Sequence, residues 1–183
     1  MLMFLGLGYL AARSRPGAGA SRLRDVLRSR EAREEAARQY LPFPALVERL
    51  YEDALYSELA TQLPILLSSA QAQALWEESI GASEAGKTLL SVPGAAAEAR
   101  AAWEIAHAWR LLPRLKGYPV NDDAKAFADW TWRYEGITKR DHHTDRARLP
   151  EIIAPHLAHA AVRKPRVLVA YGFDTLTPQQ GEF

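Results

Sequence analysis

An all-α fold follows from three features of this 183-residue chain. Apolar residues recur at helical spacing through most of it, and alanine-rich stretches favour helix over strand. One run alone, "RVLVAYGF" at 166–173, carries β-forming Val167, Val169 and Tyr171 in an apolar sequence. A lone strand has no sheet to join, so this run is expected as a buried extended tail or a last helix. The predicted architecture is a compact multi-helix domain after a short hydrophobic, anchor-like N-terminal segment. With 48% hydrophobic residues the chain suits one domain. A net charge of +1 excludes a strongly basic nucleic-acid binder at the level of the whole chain. The absence of cysteine excludes disulfides, thiolate metal sites and cysteine nucleophiles.

The elements are justified in order. "MLMFLGLGYLAA", followed by Arg13, Ser14 and Arg15, is too short to cross a bilayer, which takes about 20 apolar residues. Its positive charge follows the apolar run rather than preceding it, unlike a secretory signal. Two readings stand for residues 1–15: the cytoplasmic end of a membrane anchor whose upstream part is missing, or a hydrophobic helix packed on the domain. The flexible "RPGAGAS" favours the anchor. Residues 16–20 are then a linker, and 21–183 a helical cytosolic domain.

Ser21 is the N-cap candidate of an Arg/Glu/Ala helical stretch whose later part reads as a solvated helix or a mobile connector. Pro42 and Pro44 open a second helix with Leu46, Val47, Leu50, Tyr51, Ala54, Leu55 and Leu59 on its apolar face, ended or kinked by Pro64. Ser68 or Ser69 caps the next, and Gly81 suits a left-handed C-cap. "SEAGKTLLSV" reads as a further helical segment stopped by Pro93-Gly94. The alanine-rich helix after it carries Ala102, Ile105, Ala106 and Trp109 on one side, with Pro113 and Gly117 closing it. Asn121–Asp123 cap a helix bearing Phe127, Trp130 and Tyr134, and Pro150 lies in the first turn of a last one.

"GASEAGKT" (81–88) matches the phosphate-binding loop G-x-x-x-x-G-K-[ST] in every letter. A nucleotide-binding protein would use Gly81, Gly86, Lys87 and Thr88, with a buried strand before the loop and a helix after it. Here "AQALWEESI" precedes it, polar and helical, and Pro93-Gly94 follows within two turns. The match is therefore read as accidental, with Gly86 a tolerated small residue.

His142, His143, His156 and His159 gather late in the chain near Asp141 and Asp145, and a metal site built on them is conceivable. No stronger spacing supports it, so surface histidines and no metal or other cofactor are expected. His107, between two alanines, reads as a core residue with a satisfied ring nitrogen. Cations cluster twice: Arg22, Arg24, Arg28 and Arg30 after the linker, and Lys139, Arg140, Arg146, Arg148, Arg163, Lys164 and Arg166 later. Such patches recruit acidic peptides, anionic lipid or nucleic acid. Beside an anchor, the first group suits an anionic membrane surface.

Several segments, in order, resemble the DotM/TrbA family of type IVB secretion and conjugation systems. They are "YEDALYSELATQL", "SSAQAQALW", "SEAGKTLLSV", "IAHAWRLL", "FADWTWRY", "PEIIAPHLAH" and "TLTPQQ", over about residues 50–183. The stretch around Phe127–Tyr134 departs most from the family pattern. The resemblance implies a non-catalytic subunit of the bacterial inner membrane with its helical domain facing the cytoplasm. Its partners would be a coupling ATPase, other secretion or conjugation subunits, and acidic protein substrates received on a basic surface. The alternatives are a nucleotide-binding protein using the loop at 81–88 and a DNA-contacting accessory protein.

Overall fold

The computed structural model describes residues 2–5, 40–117, 120–164, 167–170 and 173–183. The domain is mostly helical, as the sequence predicts. Its elements run β1 (Leu2–Leu5), β2 (Tyr40–Leu41), α1 (Phe43–Leu55), β3 (Ile65–Leu66), α2 (Ser69–Gly81), α3 (Val92–Ala108), α4 (Leu112–Gly117), α5 (Asp122–Arg140), β4 (His143–Thr144), α6 (Leu149–Ile153), β5 (Val167–Ala170) and α7 (Pro178–Glu182). Short 3-10 turns occupy Ala60–Gln62, Ala85–Thr88 and Ala154–His156.

Helix α1 begins after Pro42, with Pro44 in its first turn where a missing N–H costs nothing. It buries Leu46, Val47, Leu50, Tyr51 and Ala54, the predicted face, against Leu149 and Ile153 of α6. Leu55 is partly exposed, and the helix stops there, well short of Pro64. The Tyr51 hydroxyl then ties the next segment down, donating to the Pro64 carbonyl (2.8 Å) and accepting from Leu66 N (3.2 Å).

Ser68 and Gln71 form a reciprocal capping box at the start of α2. Gly81 is its last helical residue and keeps a right-handed φ, so the expected left-handed cap is absent. Pro93 and Gly94 do not stop a helix; they lie in the first turn of α3, whose cap is Ser91. Helix α3 buries Ala96, Ala99, Trp103, Ala106 and His107, leaving Ile105 and Trp109 largely exposed. The buried face is therefore rotated from the predicted one: it is centred on Trp103, and of Ala102, Ile105, Ala106 and Trp109 only Ala106 is buried. Arg110 at φ 55 breaks the chain from α4, before Pro113 and Gly117 are reached.

A second core joins α2, α3 and α5 through Trp76, Ile80, Ala96, Ala99, Trp103, Tyr134 and Ala147. Two small parallel sheets complete the fold. β1 lies between β2 and β5, with Phe4 opposite Tyr40 and Leu2 opposite Val167. Residues 167–170 are thus neither a lone tail nor a last helix: the partner strand comes from the apolar N-terminal run. Leu2–Leu5 are strand and not helix, while residues 6–39, including the linker and Arg22, Arg24, Arg28 and Arg30, lie outside the described residues. Among the described residues no helix is long and apolar enough to cross a membrane. In the second sheet β3 pairs with β4, Ile65 opposite His143 and Leu66 opposite Thr144.

Candidate functional site

Helix α5 is charged at both ends in the sense its dipole favours. Asp122 and Asp123 occupy its first turn, Asn121 caps it by accepting from Ala124 N (2.8 Å), and Lys139 and Arg140 occupy its last turn. His142 then takes φ 53 and swings the chain into β4. A cleft of about 420 Å³ opens at this corner, lined by Pro64, Glu135, Thr138, Lys139, His142, His143, Thr144, Arg148 and Ile152.

Three buried polar atoms on this lining lack a hydrogen-bond partner: His143 Nδ1, Thr144 Oγ1 and Arg148 Nη2. Arg148 Nη2 still lies 2.8 Å from Asp145 Oδ2, an ion pair without hydrogen-bond alignment. Thr144 is 1% exposed, so its unpaired hydroxyl is out of reach of bulk water. Lys139 and His142 are exposed at the rim, and Lys139 has no ion-pair partner among the described residues. The lining thus offers one ammonium, Lys139, alongside the Glu135 carboxylate, while the Arg148 guanidinium is already paired with Asp145.

Behind the cleft, Asp145 is 6% exposed and accepts from Trp103 Nε1 (3.2 Å), Tyr134 Oη (3.1 Å) and Arg148 Nε (2.9 Å). The Arg148 guanidinium stands 5.7 Å from the Trp103 ring centre and 5.6 Å from that of Tyr134. Trp76 stacks on Tyr134 at 4.3 Å. Burial, followed by the charge of Asp145, pushes the Tyr134 hydroxyl well above its ordinary value, so it remains a proton donor. Arg148 is not the surface cation that the sequence predicts. It belongs to this buried node, because Asp145 three residues earlier neutralises it.

The remaining predicted cations divide. Arg140 pairs with neighbouring Asp141, and Arg146 reaches Glu48 and Ser69. Arg163 and Lys164 are exposed, whereas Arg166 lies outside the described residues. The late histidines are not brought together as a metal site. His159 Nε2 faces Glu58 (3.2 Å), His156 lies in the 3-10 turn after α6, and Asp141 and Asp145 hold arginines. Among the described residues no group of three His, Cys, Asp or Glu could hold a metal ion. His107 is buried with Nδ1 3.0 Å from Glu151 Oε1, but its Nε2 has no partner. The expectation of a satisfied ring therefore holds for one nitrogen.

The octapeptide at 81–88 starts on the last residue of α2 and ends in the 3-10 turn, between helices, with no strand leading in. Lys87 pairs with Glu84 and the Thr88 hydroxyl donates to the Ala85 carbonyl (2.9 Å), both locally. Gly86 is required and not merely tolerated: a Cβ there would lie 1.9 Å from the Ile80 carbonyl oxygen. Thr138, Thr144 and Pro64 were missed as cleft residues; nothing in their local sequence marks them.

No family model matches the chain, and neither the curated proteins nor the solved structures compared with it include a match.

Proposed function

We propose that the chain is a non-catalytic adaptor domain that receives acidic segments of partner proteins at the lysine-rimmed cleft at the end of α5. The observation that carries this reading is the exposed Lys139, without an ion-pair partner among the described residues, at the rim of one cleft of about 420 Å³ that His142 also lines. An acidic side chain arriving there would meet the Lys139 ammonium and the His142 imidazole, both exposed at the rim. The segmental resemblance to the DotM/TrbA family supports placing this adaptor at the cytoplasmic face of a bacterial inner membrane, beside the coupling ATPase of a secretion or conjugation machine. In that setting the arginines at 22–30 would face anionic lipid.

The test is fluorescence anisotropy of a labelled glutamate-rich peptide against the full chain at two ionic strengths. Binding is expected to weaken with salt and to fall about tenfold in Lys139→Glu, where an attraction becomes a repulsion at the rim. Lys87→Ala is expected to leave it unchanged. Peptide binding that is indifferent to Lys139→Glu overturns the proposal.

A further inference from the structure

We propose that the outer face of α3 is a homodimer interface, on which a second copy of the chain lays its own α3 antiparallel about a two-fold axis. Helix α3 turns Ala99 and Trp103 inward against α2 and α5. Its opposite side carries Ala97, Ala101, Ile105 and Trp109, spaced by four and all exposed, Ile105 by 57% and Trp109 by 47%. Glu98 and Glu104 are the exposed charges of this helix, so its solvent side is nearly as apolar as its core side. A helix that is apolar all round is one that is covered on both sides. Leu90, just before α3, is fully exposed and Leu111, just after it, is exposed too, so uncovered apolar residues stand at both ends.

The face is complementary to itself in shape and in charge, which makes its occupant a second copy. Bulk sits in the C-terminal half, at Ile105 and Trp109, while Gly94, Ala97 and Ala101 leave the N-terminal half shallow. In an antiparallel pair each half meets the other kind. Arg100 and Glu104 stand one turn apart on one flank, with the arginine first, the weaker order for an ion pair within a helix. Arg100 gives one N–H to the Ser69 carbonyl (3.2 Å), and no ion pair joins it to Glu104. In the register that sets Arg100 of one copy level with Glu104 of the other, symmetry makes that pair twice. The same register sets Ile105 midway between Ala97 and Ala101 of the facing helix, and Trp109 over its Gly94. Leu90 falls at the end where the Trp109 and Leu111 of the other copy lie. A parallel pairing does the opposite: it sets Ile105 on Ile105, Trp109 on Trp109, and like charges level with each other.

The experiment is sedimentation equilibrium of the full chain up to about 0.5 mM. Helices paired over about 25 Å make a small interface, so a dissociation constant of about 10–100 µM is expected. Ala101→Glu sets two carboxylates against each other beside the axis and is expected to raise that constant about a hundredfold. Arg100→Glu and Glu104→Arg are each expected to raise it about tenfold, and the double variant Arg100→Glu/Glu104→Arg to restore association to near the wild-type value. None of the three positions is buried, so an unchanged circular dichroism spectrum verifies the fold of each variant. A wild-type monomer at about 0.5 mM overturns the proposal and leaves the face to a different protein. A dimer indifferent to Ala101→Glu also overturns it, as does a double variant that fails to restore association, since the register rests on that pair. None of these residues lines the cleft at Lys139, so acidic-peptide binding is tested separately.

Discussion

Gly86 and Lys87 are adjacent, and the structure assigns them opposite importance from the one their motif suggests. Gly86 is buried beneath the end of α2, its N–H accepted by Ser83 Oγ (2.9 Å), which also accepts from Trp130 Nε1 (2.8 Å). A methyl group there would have to displace the Ile80 carbonyl, so Gly86→Ala is expected to cost about 1–3 kcal/mol, like other overpacked sites. Lys87 holds an exposed pair with Glu84, worth under about 1 kcal/mol, so Lys87→Ala is expected to leave stability nearly unchanged. Urea unfolding of the two variants checks both. A phosphate loop would give the reverse pattern in function, with Lys87 indispensable. The sequence shows the letters of such a motif but not the element before it, and the chemistry resides in that element. Arg148 fails for a related reason. Charge can be counted along a chain, whereas burial against Trp103 and Tyr134 depends on two helices far away in sequence.

Elements were legible where the pattern is local: the proline start of α1, the Ser68 cap of α2 and the Asn121 cap of α5 all depend on neighbouring residues. Their ends and their pairings were less so, because they are set by tertiary contacts. Strand β5 could not be placed without β1, whose Leu2 pairs with Val167 from the far end of the chain. The C-terminal helix α7 is a further case. Gln179 is buried and donates to the Ala147 carbonyl (2.7 Å), Phe183 packs edge-on against Phe43 at 5.3 Å, and Glu182 pairs with Arg110. Glu151 of α6 links this helix to α3 by facing Gln179, Arg110 and His107 together. Burial works to raise the Glu151 carboxyl, but the hydrogen bond and charge of His107, with Arg110 and Gln179, hold it below its ordinary value of 4.5. A carboxylate with a lowered folded value stabilises fully above the ordinary value and loses that contribution as pH falls through the folded one. The melting temperature of the wild type should therefore drop on acidification below about pH 4.5, and its advantage over Glu151→Gln should shrink in the same window. An advantage that stays constant down to about pH 3 would exclude this linkage.

At the scale of the whole molecule the question is whether the two cores behave as one. The first core, around α1 and α6, holds Phe43 and Tyr51 but no tryptophan, whereas the second is built on Trp76 and Trp103. They meet in the segment 145–149, where Ala147 packs into the second core and Leu149, two residues on, into the first, and again where Glu151 of α6 faces His107 and Arg110. Asp145 anchors that segment from one side and Gln179, through the Ala147 carbonyl, from the other. So short and so bonded a bridge cannot let one core melt while the other keeps its packing, since losing either releases the chain that carries Asp145. Tryptophan emission thus becomes a reporter on a core that it does not inhabit. Leu50→Ala, 2% exposed in α1, removes several buried carbons from the first core and is expected to cost about 2–5 kcal/mol. The fluorescence midpoint of this variant in urea should move with the far-ultraviolet circular dichroism midpoint and by the same amount. If the tryptophan transition stays at its wild-type midpoint while the helical signal loses an early phase, the cores unfold separately and the bridge through residues 145–149 is not the coupling element.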